Sequence, residues 1–244
     1  MNTMSKVKPM NVFVINLDKA EDRWARYEGK GYTRWRATQI DDLPDNDWRY
    51  EKMSSYWNLN PLEHKAKTCC FISHLSLLEH IVKNKLENVL ILEDDAVLVN
   101  ELPDISELPT DGFTYLGGFT SHKRLTDGPL KVDYSDEIEI KNGVNKIEHS
   151  KYRMLMMLAI FIPHWSIAYK MGNAVSLDKR WKAIDTLLYK TPKNQYMYYP
   201  ACFSELPIES QIRPNKKKFS NTFYHVVSGK VAATALEELH LDVA

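Results

Sequence analysis

The chain has 244 residues, 44% hydrophobic and 26% charged, enough apolar material for one sizeable globular core. Its 32 Lys+Arg balance 32 Asp+Glu, so the formal net charge is zero, which argues against coating nucleic acid by bulk charge. No stretch approaches the roughly 18 apolar residues that span a bilayer.

The N-terminal ten residues carry Lys6 and Lys8 but no apolar run of the signal-peptide kind, so a soluble, cytoplasmic protein is expected. Three cysteines, two of them adjacent (Cys69 and Cys70), fit neither a disulfide framework nor a recognisable zinc spacing.

Residues 11–17 (NVFVINL) form a short apolar run after Pro9, the pattern of a central parallel strand. Asp18 follows as an expected N-cap for a charged helix over residues 19–28. Residues 32–38 read as a second strand, and residues 48–56 as a helix after an acidic loop. Phe71, Leu75, Leu78 and Val82 recur at helical spacing and predict an amphipathic helix over residues 68–85. Residues 89–92 (VLIL) are a continuous apolar strand that ends in three acids, and residues 113–116 are another strand before Gly117 and Gly118.

Residues 120–153 are polar and broken by Gly and Pro, an expected excursion of loops and short antiparallel pairs. Residues 160–162 and 166–169 read as strands, 172–183 as a helix, 196–203 as a strand and 230–241 as a terminal helix. Strand–helix alternation in the first half implies an α/β domain with a parallel sheet. The expected organisation is one domain over residues 10–228 and a C-terminal helix or tail over residues 229–244.

The sharpest chemical feature is Glu93-Asp94-Asp95 after four aliphatic residues. A strand buried on both faces carries acids only where it emerges into the crevice beyond the sheet. One acid there would simply cap a turn. Three crowded carboxylates repel one another, and a hard divalent cation, Mn²⁺ or Mg²⁺, relieves the repulsion. Alternation along the strand sends Glu93 and Asp95 one way and Asp94 the other. Asp95 is therefore the expected metal ligand with Glu93 beside it, while Asp94 is expected to bind backbone or ribose.

Phosphate-loop, nucleophile-elbow, H-E-x-x-H, G-x-G-x-x-G and paired C-x-x-C patterns are all missing from the sequence. Asn16, Asp18 and Arg23, just past the first strand, offer acceptors for a base or ribose and a guanidinium for a diphosphate.

Five segments in order carry a resemblance: Ile15-Asn-Leu-Asp with Asp22-Arg23, Cys70-Phe-Ile-Ser-His74, Ile91-Leu-Glu-Asp-Asp-Ala96, Tyr115-Leu-Gly-Gly118, and Ser166-Ile-Ala-Tyr169 with Gly172-Asn-Ala174 and Ile184-Asp185. Together they resemble glycosyltransferase family 25, the lipooligosaccharide-type and collagen galactosyltransferases. The resemblance implies a GT-A-like single domain with a central, mostly parallel sheet flanked by helices. It further implies a nucleotide-sugar donor (usually UDP-linked), a divalent metal and inversion at the anomeric carbon. The acidic run falls at the family's metal position, and Asp185 at an acid suspected of serving as acceptor-side base. The segment after Arg23 and the excursion over residues 120–153 depart from the family pattern, so neither sugar nor acceptor carries over.

Glu209 is the rival base and Glu205 a distant third. His74 reads as a hydrogen-bonded packing residue rather than a ligand, and His164 and His225 as surface or structural histidines whose alternative is a supplementary metal or phosphate contact. Arg213, Lys216 and Lys217 belong to the one local basic run, by default a solvated loop. Its alternative role is to close over the diphosphate or to meet a phosphate-rich acceptor such as hydroxymethylated DNA. A glycan acceptor is the first expectation, modified DNA the second, and a metal-dependent phosphohydrolase or nuclease the reading from another class.

Overall fold

The computed structural model describes residues 9–53, 60–122, 140–148, 152–177, 181–188, 194–206, 222–227 and 230–235. In chain order the elements are β1 (Asn11–Asn16), α1 (Glu21–Trp24), β2 (Thr33–Arg36), α2 (Trp48–Lys52), α3 (Pro61–Lys83), β3 (Glu87–Glu93), β4 (Ala96–Leu98) and β5 (Phe113–His122). There follow β6 (Gly143–Lys146), β7 (Tyr152–His164), α4 (Trp165–Ser176), α5 (Ile184–Leu188), β8 (Gln195–Tyr199), β9 (Phe203–Glu205), β10 (Thr222–Val227) and β11 (Lys230–Ala235).

The main sheet runs β2-β1-β3-β7-β5-β8-β6. Strands β2, β1 and β3 are parallel, β7 runs against β3 and β5, β8 returns parallel to β5, and β6 runs against β8. Short β4 pairs antiparallel with β9, which also touches β5 at Gly117. This mixed sheet, mostly parallel in direction and flanked by helices, is the single α/β domain expected, and it agrees with a GT-A-like fold.

Alternation along the central strands explains their unbroken apolar sequence. Phe13, Ile15, Val89 and Ile91 enter one core cluster with Phe71, Leu77, Leu78 and Ile81 of α3 and Ile167, Ala168 and Met171 of α4. Val12, Val14, Leu90 and Leu92 enter a second cluster with Tyr27, Leu108 and Phe161. Both faces are dry, and each such aliphatic side chain contributes about 1.5–3 kcal/mol by leaving water.

Helix α3 starts seven residues earlier than its apolar spacing predicts. Asn60 and Glu63 form a reciprocal capping box around Pro61, which satisfies free N–H groups of the first turn. The expected helix over residues 19–28 shortens to α1, and Asp18 does not cap it. Ala20 occupies the cap without a side-chain bond, while Asp18 accepts from Arg36 Nε at 2.6 Å and Gln39 Nε2 at 2.8 Å. Residues 166–169, expected as a strand, open helix α4 instead. His164 Nδ1 caps that helix by accepting from the Ser166 N–H at 3.2 Å, and four alternating residues were too few to separate the two periods.

The strand expected over residues 196–203 divides into β8 and β9 around Pro200, which has no N–H to give a ladder. The helix expected from residue 230 is also corrected. Lys230–Ala235 is strand β11, whose backbone groups pair in register with β10, so a partner strand rather than a helical turn satisfies them. Among the described residues no helix is long and apolar enough to cross a membrane.

Candidate functional site

The candidate site is the turn that ends β3. Glu93 pairs in register with Ile15, so it shares the face of Ile91 and looks toward α3. There His74 Nε2 stands 3.1 Å from Glu93 Oε1, with the histidine side chain 1% exposed and the glutamate 29%. His74 thus packs as a hydrogen-bonded residue, as expected, but its partner is one of the acids. Cys70, one helical turn earlier, completes a group whose ligand-type atoms lie within 4.8 Å of one another.

Asp94 faces the opposite way. Its Oδ2 accepts from Asn16 Nδ2 and its Oδ1 from Arg23 Nη1, each at 2.8 Å. Asn16 and Arg23 are therefore organised around Asp94, and Asp18 is held by Arg36 and Gln39 away from it. All three stand at the C-terminal end of β1, the side of the sheet where a ligand crevice opens.

The backbone of the turn is tied from several directions. Arg26 Nη2 donates to the Asp94 carbonyl at 2.8 Å, and the Tyr27 hydroxyl donates to the Ala96 carbonyl at 2.6 Å and lies 3.3 Å from that of Glu93. Burial keeps the Tyr27 phenol protonated far above its ordinary range. The Leu206 N–H donates to the Asp95 carbonyl at 2.8 Å.

Asp95 is the most perturbed acid of the turn. Burial pushes its carboxyl well above the usual carboxylate range, and the charges of Glu93, then Glu205, then Asp94 push the same way, against Arg23. Its Oδ1 is buried and has no hydrogen-bond partner among the described residues. Glu205 arrives because β9 pairs with β4, placing it opposite Ala96. Burial and the Glu93 charge raise its carboxyl too. The carboxyl groups of Glu93, Glu205 and Asp94 thus bear electrostatically on Asp95, whose buried Oδ1 lacks a donor among the described residues. Oxygen donors of this kind suit a hard divalent cation, although among the described residues the ligand-type atoms drawn within 4.8 Å of one another are those of Cys70, His74 and Glu93.

Asp185 lies in the first turn of α5, between buried Ile184 and buried Leu187 and Leu188. Burial raises the pKa of Cys70 on α3 and of Tyr115 on β5, and the Asp185 charge adds to each. Glu209, Arg213, Lys216 and Lys217 lie outside the described residues. His164 is a helix cap, 3.8 Å from Glu87 Oε1.

Sequence reasoning passed over Cys70 as a participant and ranked Glu205 third. The i, i+4 spacing of Cys70 and His74 was the available signal for the first. Nothing local announces Glu205, because it reaches the acids only through strand pairing.

A comparison with curated proteins returns no match. Residues 10–124 match the model of Glycosyltransferase family 25 (LPS biosynthesis protein), a span that runs from β1 past the end of β5. It contains the acidic turn, the Asn16 and Arg23 side chains that hold Asp94, and the Cys70–His74 stretch that meets Glu93. Over residues 10–124, just under half of its length, the chain is similar to glycosyltransferase family 25.

Proposed function

We propose that the enzyme moves a sugar from a nucleoside-diphosphate donor, UDP-linked, to a hydroxyl of a glycan acceptor, with inversion and with Mn²⁺ or Mg²⁺ held by Asp95 and Glu93. The observation that carries this reading is the buried, donorless Oδ1 of Asp95 among the charges of Glu93, Glu205 and Asp94. A cation bound there would supply positive charge where the departing diphosphate becomes more negative.

The chain's own residues divide the remaining work. Asn16 and Arg23, fixed by Asp94, border the crevice where the nucleoside and diphosphate would lie. Asp185, whose charge acts on Cys70 beside Glu93, is the acid assigned to take the proton of the attacking hydroxyl. A single displacement with inversion needs one such base on the face away from the leaving group. The family's description as an LPS biosynthesis protein supports a glycan acceptor. The DNA acceptor depended on the basic run over residues 213–218, outside the described residues, and no described feature favours it.

The deciding experiment is thermal unfolding with UDP, with Mn²⁺ and with both. UDP and Mn²⁺ together should raise Tm by more than the sum of their separate effects. A merely additive response would overturn the metal-anchored donor.

A further inference from the structure

Glu93 lies near two different sets of donors. Asp95 and Glu205, whose charges couple to it, offer oxygen alone. Cys70 and His74, one helical turn apart on the same face of α3, offer sulfur and an imidazole nitrogen.

We propose that Cys70, His74 and Glu93 form a second cation site, for a borderline-soft divalent ion of the Zn²⁺ class, which competes with the oxygen-ligated site for Glu93. The competition rests on the hard-cation reading of Asp95 and Glu93; the Cys70–His74–Glu93 site does not.

Three observations carry the site. The ligand-type atoms of the three residues lie within 4.8 Å of one another, and His74 Nε2 is already 3.1 Å from Glu93 Oε1. Zinc bonds of roughly 2.0–2.3 Å place tetrahedral ligand atoms about 3.3–3.8 Å apart, so modest side-chain rotation closes the shell. Next, the His74 ring is buried with its Nε2 turned to Glu93, so this nitrogen is held where an ion shared with that carboxylate would lie. Finally, Cys70 and Glu93 are only partly buried, so the group is not sealed within the core.

Softness then separates the two sites. Mn²⁺ and Mg²⁺ prefer carboxylate oxygen, whereas a thiolate with imidazole and one carboxylate selects Zn²⁺ over both. Zn²⁺ binding displaces the thiol proton of Cys70 to solvent and forms one sulfur–zinc bond; no oxidation state changes. Zn²⁺ that takes Glu93 through Oε1 draws the carboxylate toward α3 and weakens it as a ligand beside Asp95.

Titration with Zn²⁺ alone, and with Co²⁺ as its spectroscopic stand-in, tests the site on the full chain. Expected are one ion per chain, a thiolate-to-cobalt charge-transfer band, and affinity reduced by at least roughly 10–100-fold in Cys70→Ser and His74→Gln. Unchanged Zn²⁺ affinity in folded Cys70→Ser, or a cobalt spectrum without the thiolate band, overturns the site. Cys69 and Cys202 are also free thiols. If Cys70→Ser does not fold, the cobalt band of a Cys69→Ser/Cys202→Ser double variant decides, since Cys70 is then its one thiol. The competition is read separately: Zn²⁺ should abolish the joint UDP–Mn²⁺ rise in Tm, and more Zn²⁺ should be needed in Cys70→Ser. A thiolate band with no UDP–Mn²⁺ synergy would sink the functional reading and leave the zinc site standing. Synergy without the band would do the reverse.

Discussion

Arg23 Nη1 lies 2.8 Å from Asp94 Oδ1, a contact in which the two side chains are only 9% and 12% exposed. It joins the helix after β1 to the turn after β3, across 71 residues of sequence. In a site so dry, removing one partner costs the other its nearest opposite charge.

Arg23→Ala should therefore destabilise the fold by about 3–5 kcal/mol. Urea denaturation of Arg23→Ala, Asp94→Ala and the double variant measures it. The double variant should recover part of the loss, because no charge is then stranded. Strictly additive losses would show that the two groups act independently.

Asp95→Asn should separate stability from function. The amide removes one of the repelling charges and can donate to a neighbouring carboxylate. The metal-free protein should then gain roughly 1 kcal/mol. The same variant should lose the joint UDP–Mn²⁺ effect on Tm. A lower Tm in chelator than the parent would contradict the picture of a repulsive acid cluster.

Asp185→Asn should leave UDP–Mn²⁺ stabilisation intact while lowering kcat about 10²–10⁴-fold, the usual contribution of a general base. Steady-state transfer assays and the thermal-shift measurement, run on one preparation, give both numbers. A near-normal kcat would pass the base role to Glu209.

Asp47, the N-cap of α2, sets an acid limit of its own. Its carboxylate accepts from Arg49 Nε and Nη2 at 2.7 Å and from the Arg49 N–H at 2.9 Å, and these bonds lower its pKa to about 2. Because the folded value lies below the unfolded one, the contribution is complete above about pH 4 and disappears as pH falls through about 2. Urea midpoints of Asp47→Asn and parent should converge over that interval. Curves that stay parallel down to pH 2 would remove Asp47 from the acid limb.

How much of this could be read from residues alone depended on whether a signal was local. Strands β1 and β3 were legible because Val12–Ile15 and Val89–Leu92 are buried on both faces, which forces unbroken apolar sequence. The three acids were legible because they interrupt that run. The opposite facing of Asp94 and Glu93 followed from alternation alone, and the structure bears it out through Arg23 on one face and His74 on the other. What stayed hidden needed a partner from elsewhere. Asp18 looked like a cap until Arg36 claimed it, residues 230–235 looked helical until β10 paired with them, and Glu205 joined the acids only through β9. Residues 166–169 failed for a different reason, since four residues hold too little of either period.

The bonds from Arg26, Tyr27 and Leu206 to the carbonyls around Asp95 have a thermodynamic consequence. A loop that must order itself around an ion loses affinity to its own entropy. Here that ordering is completed when the chain folds, so a cation of the proposed kind would meet carboxylates whose backbone is already in place. Such a rigid frame should bind with a small entropic penalty and should discriminate sharply by ionic radius, since it cannot contract around a smaller cation.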